Sequence, residues 1–126
     1  MVEIKPVENA EKYVENADKN TFVMVAVDGE AELGYGVTRL FETYAILDDI
    51  HFENDMDMLV LGYGMGKALL NFIERRGVYH VYSSLDNKRL LERLRFTKDM
   101  EIKTDEHTPS IDECYVNLKG YFDAHC

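Results

Sequence analysis

Tryptophan is absent from this 126-residue chain, and proline and cysteine occur twice each. Cys114 and Cys126 make no disulfide framework and lack metal-ligand spacing, so neither a disulfide scaffold nor a metal site is expected. Long apolar runs are missing too. No uncharged stretch exceeds nine residues, the length of Met58 to Gly66, far short of the ~20 that a membrane helix needs. No segment is rich in Pro, Gly and Ser together and no repeat is visible, so residues 1–126 read as one domain. Bases are scarce: 14 Lys and Arg against 24 Asp and Glu give 14 − 24 = −10. That balance repels nucleic acid. Met1–Pro6 carries an acid where a secretory signal would be apolar, so a cytoplasmic location is expected.

What the chain does contain is enough for a core. Hydrophobic residues make up 46%, with 8 Tyr and 6 Phe, which excludes wholesale disorder. The charge is unevenly spread. Residues 1–59 hold 14 acids and 4 bases, whereas residues 60–98 hold 3 acids and 8 bases. The first part suits a small cation and the second a small anion.

Met1–Val7 reads as a short strand stopped by Pro6. Val7, Ala10, Tyr13, Val14 and Ala17 predict a short amphipathic helix over about 8–18. Thr21–Val27, Leu33–Phe41 and Tyr44–Phe52 read as an antiparallel meander, with Asp28-Gly29 as the first turn. From Gly64 the period becomes helical: Met65, Leu69, Phe72, Ile73 and Arg76 share a face, and Gly77 ends it. A strand over Val78–Ser83, a second helix over Lys88–Arg95 and two closing strands, about 97–103 and Glu113–Phe122, complete the order. The pattern predicts an α/β layered domain: a mixed α+β arrangement on one central sheet.

The most informative segment is Leu61-Gly-Tyr-Gly-Met-Gly-Lys67, read as a glycine-rich turn before a helix. Such a turn lets backbone approach a ligand, and the helix start offers unpaired N–H groups to an anion. The P-loop pattern fails because position 61 is Leu and position 68 is Ala. The dinucleotide pattern fails because its third glycine comes one residue early. A third phosphate-binding turn is the pyrophosphate loop of an acyl-coenzyme A transferase, and a plain tight turn is the alternative.

Residues 21–104 resemble the GNAT superfamily of N-acetyltransferases, whose signature is [RQ]-x-x-G-x-[GA] at a strand-to-helix turn; Gly64 and Gly66 fill its glycine places. Tyr44–Ile50 is similar to the family's fourth strand. Asp86-Asn87 followed by Leu90–Phe96 is similar to its last helix and the start of the sixth strand. The resemblance implies the GNAT fold, a mostly antiparallel central sheet with helices on both faces. It also implies acetyl-CoA as cosubstrate, with no metal. Gly62, Tyr63, Gly64, Met65, Gly66 and Lys67 would then hold the pyrophosphate, with Leu61 at the signature's polar position. The backbone of Ile50 and Phe52 and the side chain of Asn87 would flank the pantetheine arm.

Three departures stand out. Leu61 replaces the signature's Arg or Gln, Leu91 the usual tyrosine of the last helix, and Arg95 the usual glycine before Phe96. Acetyl transfer to an amine needs a base, because only the neutral amine attacks. The resemblance places a carboxylate on the fourth strand: Asp49 first, Asp48 second, with His51 as a further option. In a regular strand Ile46, Asp48, Ile50 and Phe52 share one face and Asp49 and His51 the other; a bulge would shift this by one. Tyr82 is the candidate acid for the departing thiolate. The expected function is transfer of acetyl to a primary amine of a small or peptidic cationic acceptor. The alternative is a GNAT-fold binding or interaction module that has lost catalysis, with or without coenzyme A. An open site predicts a homodimer, formed through the last strand and Tyr121-Phe122.

Overall fold

The computed structural model describes residues 1–83, 85–97 and 114–122. Six strands form a single sheet in sequence order: β1 (Val2–Val7), β2 (Thr21–Asp28), β3 (Ala31–Leu40), β4 (Tyr44–Phe52), β5 (His80–Ser83) and β6 (Cys114–Asn117). All neighbours are antiparallel except β4 and β5, which run parallel. A parallel pair needs a crossover, and helix α1 (Asp55–Arg75) supplies it. Helix α2 (Lys88–Arg93) follows β5. The sheet is thus mixed, with antiparallel pairing dominant. No helix among the described residues is long and apolar enough to cross a membrane.

Local sequence explains most boundaries. β1 continues through Pro6 to Val7 rather than stopping at the proline, because an edge strand tolerates a missing N–H. The β2–β3 hairpin turns on Gly29, whose φ of 64° lies in the left-handed region. Gly77, at φ 80°, ends α1, its N–H bonding the carbonyl of Glu74.

Two expectations need correction. The helix expected over 8–18 is one 3₁₀ turn, Ala10–Lys12. Asn16 adopts a left-handed φ of 62°, and the Asp18 carboxylate takes the Asn20 N–H, so side chains compete with the helix for the backbone. The second correction is larger: α1 begins at Asp55, not Gly64. Asn54 caps it, its Oδ1 accepting from the N–H of Met56 and of Asp57. Asp55 and Asp57 then occupy the first turn, where the helix dipole favours acids. The strand expected over about 97–103 lies, apart from Thr97, outside the described residues; Thr97 bridges Tyr115.

Helical cover is uneven between the two faces. Both α-helices pack on one face, where Met65, Leu69, Leu70 and Ile73 of α1 are fully buried against Ala45, Leu47 and Val81. Leu90, Leu91 and Leu94 join the same core. A Cβ on Gly36 of β3 would lie 2.6 Å from Leu69 Cδ1, so α1 sits almost on the strand. Among the described residues the other face carries only the 3₁₀ turn, and the Tyr13 ring that follows it packs on Tyr35 at 5.4 Å. Beyond it lies a smaller cluster of Tyr44, Ile46 and Tyr82.

Candidate functional site

A bulge in β4 decides where its acids point. Val37 pairs with Asp49 and Thr38 with Leu47, so Asp48 is the extra residue. Before it, Ala45 and Leu47 face the helices while Tyr44 and Ile46 face away; after it, Ile50 and Phe52 face the helices. Asp48 and Asp49 therefore share the face away from α1 and line one cleft. Regular alternation, which would have separated them and put Asp48 with Ile50, does not hold.

That cleft, about 480 Å³, lies between the 13–18 segment and the β3–β4 ladder. Tyr13, Glu15 and Asp18 form one wall; Tyr35, Arg39 and the two aspartates form the other. Arg39 grips Asp48 with both arms: Nε donates to Oδ2 at 2.7 Å and Nη2 to Oδ1 at 2.8 Å. These bonds hold the guanidinium above its ordinary pKa. Asp49 has no ion pair among the described residues. Burial pushes the Tyr35 phenol up, and the charges of Asp49 and Glu53 add to this. Tyr13 donates its hydroxyl to Glu32, which pushes its pKa up to about 12. His51 lies exposed beside the cleft, its ring 5.3 Å from Tyr35. Four acids face one arginine here, so the cleft attracts cations.

Next to the bulge, β4 loses its neighbour. β5 pairs with it only from Tyr44–His80 to Leu47–Ser83. Ser83 Oγ closes the paired part by donating to the Leu47 carbonyl at 2.8 Å. Further along, the Glu53 N–H bonds the Leu33 carbonyl on the β3 side. Strand alternation then turns the N–H and C=O of Ile50 and Phe52 away from β3, toward a side where no described strand pairs with them.

The glycine segment is not a turn. Residues 61–67 all lie inside α1, where backbone N–H groups bond carbonyls four residues back and are closed to an anion. Gly62 and Gly66, four apart, face α2: a Cβ on Gly66 would lie 2.5 Å from Leu94 Cδ1, and one on Gly62 3.8 Å from Leu90 Cδ2. They are contact points between helices. Gly64 is exposed, Met65 is buried in the core and Leu61 packs at its edge. Lys67 lies 4.7 Å over the Tyr121 ring, and Tyr63 lies under Arg93 at 4.4 Å. Asn87 caps α2, its Oδ1 accepting from the Leu90 N–H. Tyr82 is buried against Tyr44 and Tyr115 and does not line the acidic cleft. Tyr121 is also turned inward, its hydroxyl donating to the Leu94 carbonyl.

Arg39, Tyr13 and Tyr35 were not singled out from the sequence. Arg39 did carry a signal, as the one base between Asn20 and Val60.

No protein-family model and no curated protein matches the sequence. Solved structures do. A GNAT-family acetyltransferase of Staphylococcus aureus superposes with a TM-score of 0.73 at 11% identity, covering 94% of this chain and 99% of that one. A spermidine/spermine N-acetyltransferase of Vibrio cholerae gives 0.69 at 11% identity and covers all of both chains. A ribosomal-protein alanine N-acetyltransferase of Escherichia coli gives 0.66 at 17%, over 92% and 90%. The chain has the GNAT fold. Arg95 also gains a physical reading: at the usual glycine position its φ is 69°, left-handed, where glycine is unstrained. Here Arg95 holds that conformation while its Nη2 donates to the Tyr121 carbonyl at 2.9 Å.

The GNAT fold implies acetyl-CoA, and its two halves fare differently against this chain. The edge at Ile50 and Phe52, unpaired among the described residues, suits a pantetheine arm, whose amides can bond like a strand. The diphosphate does not fit the start of α1. Asn54 already occupies two of its free N–H groups, and Glu53, Asp55 and Asp57 surround it.

Proposed function

We propose that this GNAT-fold chain is an N-acyltransferase, moving acetyl from the thioester of acetyl-CoA to a primary amine of a small or peptidic cationic acceptor. The observation that carries the reading is the β4 bulge, which sets two carboxylates in a cation-attracting cleft beside an unpaired strand edge. In this reading a cationic acceptor enters between Tyr13 and Tyr35. Asp49 takes the proton the ammonium must lose before its nitrogen attacks, because Asp48 is already held by Arg39. Asp48 is then a positioning residue, and Tyr82 supports the strand from behind rather than touching the acceptor. The arginine fork also keeps the bulge in register, since Arg39 bridges it from β3.

The second reading, a binding module without turnover, is favoured by one specific feature: the acid-flanked, self-capped start of α1. Turnover separates the two. The protein is incubated with acetyl-CoA, or with S-acetyl-N-acetylcysteamine, which has the thioester arm and no nucleotide. Spermidine, an amino sugar and a lysine peptide serve as acceptors, and both free thiol and acetylated amine are read. The enzyme reading expects turnover of at least one thioester and a loss of about 10²–10⁴-fold in Asp49→Asn. Folded protein that acetylates none of them from either donor supports the module.

A further inference from the structure

Two side chains on the closed face do not match their surroundings. Thr38 and Ser83 are fully buried, and apart from tyrosines they are the buried polar side chains among the described residues. Thr38 follows Gly36 by two along β3 and Ser83 follows Val81 by two along β5, so both point to the side of α1. A hydroxyl buried among aliphatic groups is costly unless it finds a partner.

Both find one at the same place. Thr38 Oγ1 donates to the Ile46 carbonyl and Ser83 Oγ to the Leu47 carbonyl, each at 2.8 Å. These carbonyls belong to the two residues directly before Asp48, the extra residue of the bulge. One hydroxyl comes from β3 and the other from β5, so β4 is tied to both neighbours. The Ser83 oxygen also accepts from the Leu85 N–H at 3.3 Å. That turn leads the chain off toward α2 where the β4–β5 pairing stops. On the opposite face Arg39 holds the Asp48 carboxylate. The bulge is gripped from behind by two neutral hydroxyls and from the front by one cation.

We propose that Thr38 and Ser83 are positioning residues for the transfer: their hydroxyls fix the backbone before the bulge, and so set the direction of Asp49 and the point where the β4 edge opens. The consequence for turnover rests on the transferase reading above; the effect on the strand does not. Shifting the pairing by one residue turns a side chain to the other face of the sheet, and a misplacement of about 1 Å can cost about 10²-fold in rate. Neither residue lines the acidic cleft, so both act through the strand.

The test reads register and turnover separately, in the full chain. Backbone NOEs between Val37 and Asp49 and between Thr38 and Leu47 define the bulge and need no ligand. The wild type should show both. Thr38→Val keeps the shape of the side chain and removes only the donor. It and Ser83→Ala should each weaken these NOEs and lower kcat for acetyl transfer about ten- to a hundredfold. Thr38→Ser keeps the hydroxyl and should restore both readouts. Ile73→Val, a buried change near the C-terminal end of α1, controls for lost stability and should leave both unchanged. Should Ser83→Ala fail to fold, the near-isosteric Thr38→Val decides. Intact NOEs with wild-type kcat in Thr38→Val overturn the proposal, as does Ile73→Val lowering kcat as far as Thr38→Val. Where the wild type turns over, a change in only one readout overturns it too. A wild type without turnover fails the transferase reading instead, and the NOEs then decide the role of the two hydroxyls alone.

Discussion

The two faces of the sheet are built from different chemistry. The face under α1 and α2 is aliphatic and closed: Leu47, Met65, Leu69, Leu70, Ile73 and Leu94 have essentially no contact with water. The opposite face carries one 3₁₀ turn, aromatic rings and the Arg39–Asp48 pair around an open cleft. Apolar burial is the main stabilising term in folding, so the first face holds the domain together. The second can then keep carboxylates and phenols near water. Strand β4 serves both: its bulge turns the acids to the open side while Ile50 and Phe52 stay in the core.

Substitutions of unequal size sharpen that contrast. The largest is expected on the closed face. Leu69→Ala empties a site where α1 rests on Gly36, and should cost about 2–5 kcal/mol in urea unfolding. If the loss is only a few tenths, α1 is not the main cover of the sheet. A smaller effect tests the glycines. Gly64 is exposed inside a helix, with only Ile4 Cδ1 within reach at 3.8 Å. Gly64→Ala should therefore stabilise by about 0.5–1 kcal/mol, whereas Gly66→Ala should destabilise by pressing on Leu94. Destabilisation by Gly64→Ala would return this segment to a turn.

The smallest effect belongs to the open face. Folded Tyr13 keeps its proton to about pH 12, against an ordinary value of 10.0, because it donates to Glu32. The folded state therefore holds a proton that the unfolded chain releases first. The stability this adds is whole below about pH 10 and fades as the pH rises through 12. Tyr13 is partly exposed and its pair with Glu32 is screened by water, so the gain is small. Phenolate absorbance should show one fewer late-titrating tyrosine in Glu32→Gln than in the wild type. No change between the two would detach the 3₁₀ segment from β3.

Much of the fold was legible along the chain, because strands and turns are written in local patterns. Thr21–Asp28, Ala31–Leu40 and Tyr44–Phe52 carry β-branched and aromatic residues between turn residues, and they form the meander. Leu90, Leu91 and Leu94 mark the buried side of α2 by spacing alone. The glycine segment misled for a physical reason. Gly62 and Gly66 each cost a helix roughly 0.5–1 kcal/mol relative to alanine, so local preference reads them as a turn. Contact with Leu90 and Leu94 favours the helix, and those residues lie more than twenty positions away. The acids of β4 were visible as candidates, but which way each points was not. A bulge is set by the pairing of two strands, and the Asp48 partner, Arg39, lies on the other one. Composition and local pattern determined the layering of helices on a sheet, the three-stranded meander and the charge of each half. Tertiary packing alone decided that the glycines join helices and that the two aspartates share a cleft, because both depend on contacts between elements distant along the chain.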